Sequence, residues 1–299
     1  MFISRRGFAV TITGAEGCEF RLSNLTVAVL GAGKIGSIMA RSFSDCGVHV
    51  IATARRKERI ERLRMQGFEA TSDNVHAVKK ASVVFISVKP YQYPALARQI
   101  GSHVAGKPVV SVMAGIPLRL LRKTLPGAEV YRAMPNLNAA VKRSVTGLVV
   151  PKNAQYREII KSLLSCMGSV YELPEQLIDA WTAVAGSGPA IIAEFIDSMI
   201  LAALAVGIPR DLAYDAVLES IIGTAEYLRT RPVHPAQLRD EVTTPGGTTI
   251  MALKVIEGKG MKSALIDAVE RATARARKLA KEIEESIEEQ YENTNSSSV

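Results

Sequence analysis

At 299 residues the chain exceeds a typical single hydrophobic core, so two domains are expected. Its 47% hydrophobic and 22% charged residues describe folded globular material and exclude a disordered chain. A net charge of +8 favours anionic partners, but aromatics are only 5% and nowhere interleave with Lys and Arg, which argues against nucleic-acid binding.

Residues 1–24 form an appendage with no assigned function. "SRRGFAVTITGA" has the superficial look of a twin-arginine signal, yet its apolar part is short and Glu16 and Glu19 follow soon after. Alternation at Phe8, Val10 and Ile12, and again at Cys18, Phe20 and Leu22, fits a small hairpin better. A start codon placed too far upstream is the plain alternative. Cys18, Cys46 and Cys166 are odd in number and far apart, which suits a reducing cytoplasm. His49, His76, His103 and His234 have no metal-ligand spacing with them, so no metal site is expected.

From Thr26 the chain turns regular. "TVAVLG" reads as a buried strand and "AGKIGSIMARSFSDCG" as a helix. "VHVIATA" is a second strand and "RKERIERLRMQG" a second helix. "ASVVFISV", "KPVVSVM" and "AEVYRAM" add further strands, and "VTGLVVP" and "GSVYEL" two more candidates. Such alternation indicates an α/β fold, a Rossmann-type doubly wound parallel sheet over residues 25–172. After Pro174 strand signals vanish, and residues 173–292 read as an all-helical domain with a polar tail at 293–299. Its most apolar run, "AIIAEFIDSMILAALAVGI", carries Glu194 and Asp197, which argues against a membrane span. Within it, "MILAALAV" (199–206) has no polar face and calls for burial on all sides, most simply in a homodimer.

The first strand runs directly into "GAGKIG". Gly31, Gly33 and Gly36 there form a dinucleotide fingerprint in its proper strand–turn–helix context, with Ala32, Lys34 and Ile35 between them. An NAD enzyme usually places an acid near the end of the second strand. Here Thr53, Arg55, Arg56 and Lys57 stand where a 2′-phosphate would lie, and no acid comes before Glu58. NADPH is favoured, with NADH as an acceptable substitute.

"TTPGGTTIMAL" (243–253) reads as a helix start with Thr244 as N-cap, Pro245 as first helical residue and two glycines in the first turn. Gly246 and Gly247 lack a Cβ, so a ligand can approach the backbone and its free N–H groups. Thr248 belongs to the same binding end. Thr249 follows it on the same helix start.

The succession "AVLGAGKIG", "SVKP", "RAMPN", "GSGPA" and "TTPGGTTIMAL" resembles pyrroline-5-carboxylate reductases from about Thr26 to Leu279. The resemblance implies reduction of a cyclic imine, 1-pyrroline-5-carboxylate, to proline in the last step of proline biosynthesis. It implies a helical domain that interlocks with a second subunit, each substrate site being built from both chains. It also implies that Asn74 contacts the adenosine end and that Val88, Lys89 and Pro90 lie near the cofactor. Met134, Pro135 and Asn136 would line the nicotinamide side, and Thr249, as the candidate catalytic residue, would hydrogen-bond the imine nitrogen of the substrate. Lys89 is a tempting general acid, but a cofactor contact or a structural role suits it better. The chain departs from the family pattern in lacking Thr-Pro after Asn136, in Leu201 and in Pro232. A different NADP-dependent imine or hydroxy-acid reductase, and a non-catalytic NADP-binding regulator, remain open on the residues alone.

Overall fold

The computed structural model describes residues 11–13 and 19–296. Ten strands run in chain order: β1 Thr11–Thr13, β2 Glu19–Arg21, β3 Thr26–Leu30, β4 His49–Thr53, β5 Glu69–Thr71, β6 Val83–Ile86, β7 Pro108–Ser111, β8 Glu129–Met134, β9 Ser144–Val149 and β10 Gly168–Glu172. Among them lie α1 Lys34–Asp45, α2 Lys57–Met65, α3 Asn74–Lys80, α4 Tyr93–Ile100, α5 Leu118–Thr124 and α6 Arg157–Ser165. After β10 come α7 Ile178–Trp181, α8 Gly188–Ala205, α9 Arg210–Thr230, α10 Pro235–Glu241, α11 Thr248–Gly258 and α12 Met261–Ser296.

The chain divides into two compact units, residues 1–187 with 272–299, and residues 188–271. The last strand ends at Glu172, next to the sequence boundary at Leu173. Compactness cuts elsewhere because Ile283 and Ile287 of α12 pack into the core of the sheet unit. α12 itself runs on to Ser296, through much of the segment read as a polar tail.

The sheet unit holds eight strands in the order β10-β9-β8-β7-β6-β3-β4-β5. Alternate residues of β3 serve opposite faces. Val27 and Val29 join one core cluster with Phe43, Phe85 and Tyr131, while Ala28 and Leu30 join another with Ile51, Ile86 and Tyr93. Strands buried on both faces must be apolar throughout, which is why β6 reads Val-Val-Phe-Ile.

The sheet is mixed, unlike the all-parallel expectation. β9 runs antiparallel to β8 because only the short 3-10 segment Leu137–Val141 joins them, too little chain for a crossover. β5, "EAT", escaped the sequence reading because an edge strand needs only one inward residue, Ala70. β1 and β2 pair antiparallel, with Ile12 opposite Phe20. Phe8, Val10 and Cys18 of the expected hairpin lie outside the described residues.

Cys46 and Cys166 are read in sequence as separate thiols, but the fold brings them together in a disulfide, 6.3 Å between Cα atoms. Each ends a helix, α1 and α6 respectively, and a separation of 120 residues hid the pairing.

The helical unit buries little of its own apolar surface. Ile200, Ala213 and Val217 are its buried cluster, while Phe195, Met199, Leu201, Val206, Ile222 and Val255 are exposed. The run Glu175–Ala205 is long and apolar enough, by length and composition, to cross a membrane. Glu194 and Asp197 stand exposed within it.

Candidate cofactor site

Doubly wound sheets bind ligands where strand order reverses, beyond the carboxyl ends of the strands. Here β3 lies between β4 and β6, and a cavity of about 1140 Å³ opens at that point. Its floor is the β3–α1 turn.

Each glycine of that turn has its own reason. Gly31 has φ +88°, and a Cβ there would come within 2.6 Å of Val88 Cγ1. At Gly36 a Cβ would collide with the Gly31 carbonyl oxygen and Ser87 Oγ. Gly33 differs, since beyond the Gly31 carbonyl at 3.9 Å nothing stands near its missing Cβ. That open space is where a ligand can reach the backbone.

The turn is held from below. Gly31 N–H donates to Thr53 Oγ1 (3.1 Å), Ala32 N–H to the Thr53 carbonyl (2.7 Å) and Gly33 N–H to the Gly31 carbonyl (2.7 Å). Ser87 Oγ donates to the Gly31 carbonyl (2.7 Å). Gly33, the N-cap of α1, has no side-chain cap bond, so the first N–H groups of the helix stay open toward an anion.

Arg55 and Arg56 line the cavity and are exposed, and their side chains make no hydrogen bond or ion pair among the described residues. Lys34, Arg59, Arg62 and Lys89 line it too, giving six cations against one carboxylate, Glu58. Thr53 is in the wall, but it is buried and its hydroxyl is committed, donating to Asn74 Oδ1 at 2.7 Å. It shapes the turn, accepting the Gly31 N–H as well. Asn74 in turn donates to Gln99 Oε1 (3.0 Å). Val88, Lys89 and Pro90 form the opposite wall, with the Lys89 N–H donating to Gln92 Oε1 (3.3 Å).

Met134, Pro135 and Asn136 are buried and do not line this cavity. Asn136 donates from Nδ2 to the Ala185 carbonyl (2.9 Å), yet its Oδ1 is buried with no partner among the described residues. A buried acceptor without a donor is uncommon. Arg132 of the same motif is structural, holding Glu175 at 2.9 Å. Sequence reading missed Ser87, Arg59, Arg62 and Gln99. The arginines left one signal, since an i, i+3 pair shares a face of α2.

The turn at Thr244–Gly247 belongs to the other compact unit. It corrects the expected helix start. α11 begins at Thr248 with Gly247 as N-cap, so the glycines precede the helix and do not weaken it. Gly247 N–H donates to the Thr244 carbonyl (3.1 Å), closing a β-turn with Pro245 second and Gly246, φ +69°, third. That is the type-II arrangement, which demands glycine at its third place. A Cβ on Gly247 would strike Thr244 Oγ1, whereas the space around Gly246 is open. No side chain caps α11, so Thr244 leaves its first N–H groups free. Thr248 is exposed and Thr249 half-buried in the first helical turn. "HPAQL" is a cap: His234 Nδ1 accepts the Ala236 N–H at 3.2 Å.

Comparison with known proteins matches residues 175–279 to the family described as pyrroline-5-carboxylate reductase dimerisation. Residues 26–115 match the family described as NADP oxidoreductase, coenzyme F420-dependent. The chain is 34% identical over 257 residues to pyrroline-5-carboxylate reductase 3 of Bos taurus, covering 83% of each chain. It is 35% identical to the pyrroline-5-carboxylate reductase of Thermus thermophilus, covering 83% of this chain and 96% of that one. Among solved structures, the Coxiella burnetii pyrroline-5-carboxylate reductase superposes with a TM-score of 0.78 at 26% identity, covering 85% and 98%. The Plasmodium falciparum pyrroline carboxylate reductase with NADP bound gives 0.80 at 22% identity, covering 87% and 99%, and shares the fold.

Proposed function

The chain belongs to the pyrroline-5-carboxylate reductase family, and we infer that it reduces 1-pyrroline-5-carboxylate to proline with NADPH. Six cations around an uncapped helix start, at the switch point of a doubly wound sheet, carry this conclusion. The site fits a dinucleotide, with open space at Gly33 for the pyrophosphate and two unpaired arginines for a further phosphate.

NADPH, when bound, supplies the hydride for the imine carbon. The α1 N-terminus and Gly31 to Gly36 hold its pyrophosphate, and Arg55 and Arg56 its 2′-phosphate. Asn74, Val88, Lys89 and Pro90 border the rest. Met134, Pro135 and Asn136, which the motif assigns to the nicotinamide side, are buried outside this cavity, and Asn136 Oδ1 stands there without a partner among the described residues. At the substrate, Thr244, Gly246, Gly247 and Thr248 present the α11 N–H groups to the carboxylate, which the helix dipole favours. The Thr249 hydroxyl hydrogen-bonds the ring nitrogen and orients it. Protonation makes the imine carbon electrophilic, so the protein contributes position and exclusion of side reactions rather than a nucleophile.

The exposed apolar residues of α8, α9 and α11 are the homodimer surface, matching the family description over 175–279. A cytoplasmic location is the reading that few, scattered cysteines favour, and the Cys46–Cys166 disulfide of the fold stands against it. Alkylation before lysis checks it: free Cys46 and Cys166 support the location, and a quantitative disulfide argues against it. The activity itself is tested by following NADPH absorbance on adding 1-pyrroline-5-carboxylate and isolating proline. Absence of turnover, or equal turnover of an acyclic hydroxy acid, would overturn the assignment.

A further inference from the structure

We infer that Arg59, beyond being one of the six cations of the cavity, positions the cofactor-binding turn itself and so sets affinity for NADPH and NADH alike. This deepens the cofactor reading above and rests on it. Arg59 lies on α2, half-buried, in the cavity wall. Its Nε donates to the Ala32 carbonyl (2.9 Å), and its Nη2 to the Gly33 carbonyl (3.0 Å) and Ser37 Oγ (3.0 Å). Ser37 Oγ donates to the same Ala32 carbonyl (3.1 Å), closing a small network.

The need for this contact follows from electrostatics. A turn that offers N–H groups to a pyrophosphate also carries carbonyl oxygens, whose partial negative charge repels the same ligand. Ala32 and Gly33 carry two such carbonyls. Arg59 satisfies both with one planar fork, fixing the orientation of the two peptide units and placing a full positive charge beside the turn. Lysine, with a single nitrogen, cannot span the pair in the same way.

Arg55 and Arg56 provide the contrast. Their guanidinium groups have no partner among the described residues and are free to meet a phosphate directly. Arg59 is bound to the turn that both dinucleotides use. Its removal therefore weakens both cofactors equally, whereas loss of Arg55 and Arg56 weakens mainly NADPH.

The test is calorimetric titration of the full-length protein with NADPH and with NADH, for the native chain, Arg59→Met and Arg59→Lys, joined to steady-state kinetics. The expected result for Arg59→Met is a rise in Kd of about tenfold or more, the same for both cofactors. KM for NADPH rises with it, and kcat at saturating NADPH falls far less. Arg59→Lys lies between. Unchanged Kd values for both cofactors overturn the inference, as does a loss confined to NADPH, which would make Arg59 a 2′-phosphate ligand. If Arg59→Met does not fold, Arg59→Lys carries the same two outcomes. A native chain that binds neither cofactor instead overturns the cofactor reading beneath it.

Discussion

The two compact units solve the same problem in opposite ways. The sheet unit hides its apolar residues within one chain: every residue of β6 is buried, and helices cover both faces of the sheet. The helical unit leaves Leu201 of α8 52% exposed and Val206, just past its end, 77% exposed, in a run whose composition would suit an interior. Helices apolar on all sides are stable only where something covers all sides. An incomplete core at this length marks a surface meant for another subunit, while the sheet unit is complete as it stands.

The largest expected effect therefore comes from charging the open face. Leu204→Glu, on the same apolar helix, should abolish both assembly and turnover, read by sedimentation and NADPH oxidation, while the cooperative melting of the sheet unit persists. A fully active monomer would erase the contrast between the units.

Within the helical unit, Thr249→Val should lower kcat by roughly tenfold to a few hundredfold, the value of one hydrogen bond to a charged group, with little change in NADPH affinity. Native kcat would remove the hydroxyl from the chemistry. In the sheet unit, Arg55→Ala with Arg56→Ala should raise KM for NADPH by about tenfold or more while barely moving KM for NADH. Equal losses with both cofactors would assign these arginines to folding instead.

The smallest effect sharpens the comparison on the stability side. Glu172, at the end of β10, pairs with Arg157 and Lys161, and the hydrogen bond from Arg157 holds its pKa below the usual carboxylate value. A carboxylate with a depressed folded pKa contributes stability above its unfolded pKa and loses it as pH falls through the folded one. Glu172→Gln should thus melt slightly earlier than the native chain at neutral pH. The gap should close under acid, below the ordinary carboxylate pKa, as thermal scans across pH can show. A gap that persists in acid would mean packing, not charge, is responsible.

Several parts of the site were legible in the residues alone. "GAGKIG" is bound to its conformation because Gly31 must take positive φ and Gly36 must admit a carbonyl, both properties of a missing Cβ. The lack of an acid after β4 and the adjacent arginines are equally local. Thr53 was legible as a position but not in its role, since nothing in "IATARR" reveals that its hydroxyl serves Gly31 and Asn74. The "TPGG" turn was misplaced by one step of reasoning. Two glycines after a proline read as the first turn of a helix, although Pro-Gly at the centre of four residues is itself a stronger signal for a β-turn.

What the sequence determined by itself is what depends on a residue and its near neighbours: apolar runs that become strands, glycines that permit a turn, and a helix with no polar face. Only the tertiary structure decided which distant groups meet. It reversed β9 against β8 through a connection too short to cross over, and it joined Cys46 to Cys166 across 120 residues. It also carried Arg59 from α2 onto the carbonyls of a turn 26 and 27 residues earlier. Such pairings depend on how the sheet is wound, and a side chain gives no local sign of the partner that winding will bring to it.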